Sequence, residues 1–151
     1  MLRDEINTAL KDAMKARDER RVSTLRLVNA ALQNADIEAQ GRGKSALLDE
    51  EILGLLQKLI KQRQEAVELY DKAGRAELAA RERGEIEIIS AYLPKQMPEA
   101  EAKAAVAEVV KATGATCMKD MGKVMAALKQ SYAGKIDFGK ASGWVKDLLA
   151  G

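Results

Sequence analysis

The sequence predicts an all-α protein with an N-terminal helical domain, residues 1–93, that contains a long helical hairpin. A small C-terminal three-helix domain, residues 94–151, follows. Three observations predict it. Ala, Leu, Lys, Arg and Glu abound, while aromatic residues make up only 3% of the 151 residues, a composition that favours helix over sheet. Apolar residues recur at helical spacing nearly everywhere. The only two prolines, Pro94 and Pro98, stand close together in "YLPKQMP" and mark the main boundary.

Each element has its own signal. Leu2, Ile6, Leu10 and Met14 recur at i+4 and give a first helix, which "DER" breaks or bends. Val22, Leu25, Val28 and Leu32 continue as a second helix to about Ala39, and Gly41 in "QGRGKS" is its expected stop. A long helix is expected from Leu48 to Lys72, with Asp49, Glu50 and Glu51 in its dipole-favoured first turn. Ile52, Leu55, Leu56, Leu59, Val67 and Tyr70 mark its buried stripe. Gly74 ends it, and a partner helix from Arg75 to Tyr92 returns antiparallel beside it. Beyond Pro98 three shorter helices are expected: Pro98–Ala112, Met118–Gln130 and Asp137–Ala150. Gly114 and Gly134 punctuate them, and Asp137 is the expected N-cap of the last.

Composition excludes several kinds of chemistry. There is no histidine, so the commonest general base and transition-metal ligand is absent from the chain. The single cysteine, Cys117, forbids an intrachain disulfide or a cysteine-cluster zinc site, and reads as a small apolar residue. No catalytic residue, metal site or cofactor is expected. "MLRDEINTAL" lacks the apolar run of a signal peptide, and no stretch is long enough to span a membrane, so a cytoplasmic protein without membrane contact is expected.

Charge is unevenly placed. Residues 1–96 balance 17 basic against 17 acidic residues, whereas residues 97–151 carry 8 lysines against 6 acids and no arginine. Attention therefore falls on "CMKDMGKVMAALKQSYAGKIDFGKASGW", residues 117–144. A phosphate-binding loop of the G-x-x-x-x-G-K-[ST] type fails here, because set on Gly122-Lys123 the first glycine falls on Cys117 and the hydroxyl residue on Val124. Met118, Met121, Met125 and Leu128 fall on one helical face and read as core. Lys119 and Lys123, at i, i+4, lie opposite that stripe. Phe138, Ala141, Val145 and Leu148 form the buried face of the last helix. Gly139 and Gly143 lie away from it, where each costs roughly 1 kcal/mol of helix stability against Ala. Lys135 and Lys140 lie near this surface. Two readings stand: a solvated lysine face, or a platform for phosphates, which lysine holds as a point charge without reading bases. Tyr132 and Trp144 are the only aromatics at hand for base stacking.

The remaining polar clusters are less directive. Glu82, Glu85 and Glu87, interleaved with Arg81 and Arg83, read as an exposed, ion-paired helix face rather than an acid–base pair. Arg26, Asn29, Gln33 and Asn34 could bridge helices or bind a ligand.

"TLRLVNAALQNADIEA", "ISAYLPKQM" and "DMGKVMAALKQSYAGKIDFGKAS" resemble the YqeY-like proteins (GatB/YqeY domain) across essentially the whole chain. These are similar to the tail of the GatB chain of the aspartyl/glutamyl-tRNA amidotransferase. The resemblance implies the same all-α, two-part fold. It also implies a non-catalytic tRNA- or RNA-binding accessory role, because the related tail contacts tRNA while the chemistry happens elsewhere. Asp120, Met121, Gly122, Lys123, Val124, Met125, Gly134 and Asp137 match the family pattern. Lys123 is the residue expected to meet phosphate, with Lys119, Lys135 and Lys140 beside it; Asp120, Gly134 and Asp137 are structural. Met97 and Cys117 depart from the family's Ser or Thr near helix starts, which weakens two N-caps by about 1 kcal/mol each. The alternatives are an amidotransferase-like component, a carbon–nitrogen ligase with glutamine as amide donor acting only within a complex, and a helical module that takes a protein partner through the C-terminal domain.

Overall fold

The computed structural model describes residues 2–45 and 47–150. Among them are seven α-helices and one 3₁₀ turn, with no strand. The helices are α1 (Leu2–Lys15), α2 (Glu19–Gly41), α3 (Asp49–Lys72), α4 (Ala76–Ser90), α5 (Glu99–Ala112), α6 (Met121–Tyr132) and α7 (Phe138–Ala150); the 3₁₀ turn is Met118–Asp120. The protein is all-α, and its chain divides into two compact units, Met1–Leu93 and Pro94–Gly151.

In the first unit α3 and α4 form the long hairpin and share the most extensive helix–helix contact. The core is built from Ile6, Leu25, Leu32, Ile52, Leu56 and Ile89, none more than 1% exposed, so each contributes the full transfer energy of a large aliphatic side chain. The buried stripe of α1 differs from its i+4 reading. Met14 is 50% exposed and Ala13 is fully buried. At about 100° per residue, steps of four drift by some 40° each, so the third step has carried Met14 off the face while Ala13 has come onto it. In α3 the buried row runs Ile52, Leu56, Ile60 at i, i+4, i+8, so Ile60 joins the stripe although the sequence reading leaves it out.

Four of the helix stops share one device. At the ends of α2, α3 and α5 a left-handed glycine (Gly43, Gly74, Gly114) carries paired backbone bonds back to the last turn, as in Gly74 N–H to Asp71 O and Arg75 N–H to Tyr70 O. Thus Gly41 is the last residue of α2, and Gly43 rather than Gly41 makes the stop. The end of α1 has the same two bonds, Arg17 N–H to Met14 O and Asp18 N–H to Ala13 O. There the left-handed residue is Arg17, at φ 58°. Asp18 then caps α2, its Oδ1 accepting from Arg21 N–H at 3.2 Å.

One carboxylate ties three elements together. Asp36 of α2 takes both guanidinium nitrogens of Arg3 from α1 at 2.8 Å each, and the Leu47 N–H ahead of α3 at 3.3 Å. The Arg3 hydrogen bond, assisted by the Leu47 N–H and the Arg3 charge and opposed by burial, holds the Asp36 carboxyl below its ordinary value. A depressed folded-state pKa contributes stability above the unfolded value and loses it as pH falls through the folded one. Asp36→Asn is therefore expected to cost about 1–2 kcal/mol at pH 7. The gap from wild type should begin to narrow below about pH 4 and close as pH falls through the lower folded-state value, as urea titrations across that range would show.

In the second unit α5, α6 and α7 all touch one another around Val106, Val124, Leu128, Ala141 and Val145, each fully buried. Pro98, not Met97, is the N-cap of α5. Met97 instead donates its N–H to Lys135 O at 3.1 Å. On α7, Leu149 is buried and Leu148 is 48% exposed, because the core row runs Ala141, Val145, Leu149 at i, i+4.

Candidate nucleic-acid interface

Asp120 organises the entry to α6. Its Oδ2 accepts the Thr116 N–H at 3.0 Å, and its own N–H reaches Cys117 O at 3.0 Å, which closes the 3₁₀ turn. Cys117, read from the sequence as a small apolar residue, stands exposed at the head of this turn as a free thiol. Lys119 lies on the turn and Lys123 is the third residue of α6; both side chains are exposed. The turn also breaks the helical phase. Met118 is 45% exposed and leaves the stripe, whose centre is Val124 and Leu128, with Met121 and Met125 packed at its edges.

The exit from α6 is equally constrained. Ala133 (φ −52°, ψ 126°) and Gly134 (φ 75°) form a type II turn closed by Lys135 N–H to Tyr132 O at 3.0 Å. Gln96 Nε2 donates to the Gly134 carbonyl, and Met97 N–H donates to that of Lys135. Ile136, 2% exposed, anchors the loop in the core. Asp137 Oδ1 accepts from Gly139 N–H at 2.8 Å and Lys140 N–H at 3.4 Å, which caps α7 as expected. A clamped backbone thus carries the exposed side chains of Lys135 and Lys140.

The four lysines fall into two pairs rather than one patch. Lys119 and Lys123 lie at the start of α6, and Lys135 and Lys140 follow its end. The 12 residues of α6 set these ends about 18 Å apart. Two further exposed lysines, Lys129 on α6 and Lys146 on α7, complete the series. From Met121 to Lys146 the chain carries five lysines and a single acid, Asp137, which is occupied in capping α7. No carboxylate lies within 4.0 Å of any of these six ammonium groups among the described residues. Lys129 and Lys146 are legible in the sequence as charge but are not read there as part of the site.

At two points between the lysines the backbone is open: among the described residues a Cβ added at Gly122 or Gly143 would meet nothing within 4 Å, so packing requires neither glycine. The aromatics are not free platforms. Tyr132 and Trp144 are partly buried against the core, and Lys103 of α5 sits 5.6 Å from the centre of the Trp144 ring.

The acidic cluster of α4 departs from its reading as an exposed face. Glu85 is 8% exposed and pairs with Arg63 of α3 at 3.0 Å, while Arg63 also donates to Leu59 O at 3.0 Å. Arg83 pairs across the hairpin with Asp71 at 2.6 Å. Burial, and then the neighbouring Glu85 charge, raise the Glu82 carboxyl above its ordinary value. The cluster is a brace between α3 and α4.

Fold and surface together define the class: an all-α protein of two compact units, the second faced with unpaired lysines. Among the described residues no three His, Cys, Asp or Glu side chains come together as metal ligands, and no helix is long and apolar enough to cross a membrane. The chain belongs to the Yqey-like protein family, whose profile matches residues 3–149. It is similar to the altered inheritance of mitochondria protein 41, mitochondrial, of Lachancea thermotolerans, 42% identical over 67% of this chain and 54% of that protein. The protein of the same description from Vanderwaltozyma polyspora is 35% identical over 56% of this chain and 44% of its own length. An uncharacterised protein of Schizosaccharomyces pombe is 32% identical over 60% and 70% respectively. The chain spans about half the length of the first two relatives.

Proposed function

We propose that this protein is a non-catalytic, cytoplasmic RNA-binding accessory factor that contacts tRNA phosphates through Lys119, Lys123, Lys135 and Lys140. The observation that carries this reading is the run from Met121 to Lys146, where five exposed, unpaired lysines face solvent with one already engaged acid. Unpaired ammonium groups have no internal partner to give up when a phosphate arrives, and the open backbone at Gly122 and Gly143 lets a sugar–phosphate chain come close. The lack of a free aromatic platform argues for backbone contact rather than base stacking. The similarity to the tRNA-contacting tail of the amidotransferase supports the same reading.

Binding through four lysines gives a salt slope of about −3.6, which is roughly a hundredfold loss of affinity from 50 to 200 mM salt. The test is tRNA binding by the full chain across that range, beside the Lys119→Glu/Lys123→Glu variant. The variant is expected to lose at least about tenfold in affinity and to show a shallower slope.

The open backbone at Gly143 favours a second reading, a partner helix seated on the Gly139/Gly143 face. Replacing both glycines with leucine would then abolish partner capture and spare RNA binding. A role in glutamine-dependent amidation would require a complex that supplies the catalytic groups.

A further inference from the structure

Six arginines of the first unit fall into two sets. Arg3, Arg63 and Arg83 are committed to Asp36, Glu85 and Asp71. Arg17, Arg26 and Arg81 instead line one open cleft of about 790 Å³, formed by the α1–α2 turn, α2 and α4. That volume lies in the range of small-molecule sites. Among the described residues Arg17 and Arg26 have no carboxylate within 4.0 Å, and Arg81 has only the long 4.0 Å contact to Glu85.

We infer that this cleft binds a phosphorylated small molecule of nucleoside-diphosphate size, with its phosphates on Arg17, Arg26 and Arg81 and its organic part on Val22 and Leu27. Guanidinium groups offer planar paired donors that match phosphate oxygens, and Ser23, one turn before Arg26 on α2, adds a hydroxyl. Glu19 is the one acid in the lining, so three positive charges face one negative. Leu27, 49% exposed, supplies apolar surface that an inorganic anion would leave unused.

The backbone adds an independent observation. Arg17 occupies the left-handed position that glycine fills at the ends of α2, α3 and α5. A non-glycine residue is disfavoured there, so the fold bears a local cost at Arg17, a residue that lines the cleft.

This site does not depend on RNA binding by α6 and α7, since its residues lie in a different unit. Calorimetric titration of the full chain with pyrophosphate and with ADP tests it, with amide chemical shifts to locate the site. Both are expected to bind, ADP the tighter, with shifts confined to residues 17–27 and the Arg81 region. Arg26→Gln should weaken binding at least about tenfold. Arg17→Gly should do the same while its melting temperature stays equal or rises, because glycine relieves the left-handed strain; loss of fold then cannot explain loss of binding. Absence of binding at about 1 mM ligand, a site at the α6–α7 lysines, equal affinity for the two ligands, or affinity unchanged by both variants would overturn it.

Discussion

Arg63→Ala is expected to cost the first unit about 3–5 kcal/mol, more than any surface substitution. The guanidinium holds the buried Glu85 carboxylate at 3.0 Å and the Leu59 carbonyl at 3.0 Å, and its side chain is itself only 13% exposed. Removing it strands a carboxylate at a closely packed helix interface, beside the Glu82 carboxyl and with the nearest remaining ion pair the long 4.0 Å contact to Arg81. The stranded charge, rather than the lost contact, sets the cost. The double variant Arg63→Ala/Glu85→Leu should therefore regain most of the loss, since a buried pair replaced by apolar groups is often close to neutral. Urea denaturation of the two variants distinguishes this from a pair that is itself strongly stabilising; in that case the double variant would stay as unstable as the single one.

The second large effect is expected at Leu128, which is fully buried at the centre of the three-helix core. Leu128→Ala removes its transfer energy and opens a cavity, together about 2–5 kcal/mol. A unit of this size has a small core to draw on. Hydrogen exchange should therefore show loss of protection across α5, α6 and α7. Protection unchanged in these helices would mean that the side chain is not the core element described.

Much of the fold was legible because helix period and the core coincide. The all-α class, the α3–α4 hairpin and the cap at Asp137 all follow from local spacing and local chemistry. Failures arose where the deciding partner is distant in sequence or the period is broken. Glu85 looked like one of several surface acids because its partner, Arg63, is on another helix, beyond the reach of i, i+4 logic. Met118 left its stripe because the 3₁₀ turn shifts the phase, and Met14 left its own because steps of four overrun the helical period. The left-handed Arg17 carries no local signal at all: its neighbours read only as a break. For the lysines, solvent exposure was legible from the opposite apolar stripe. Their separation into two pairs was not, because it depends on the turn at Ala133–Gly134 and on where α6 begins.

Binding of RNA phosphates by the α6–α7 lysine surface is the central claim. The most direct measurement is the affinity of the full chain for tRNA from 50 to 200 mM salt, for wild type and for Lys119→Glu/Lys123→Glu. Wild-type affinity is expected to fall about a hundredfold over this range, and the variant to bind at least about tenfold more weakly with its circular dichroism unchanged. Binding that ignores both salt and the two substitutions, or no binding at the lowest salt, would contradict the claim and leave the lysines as a solvated face.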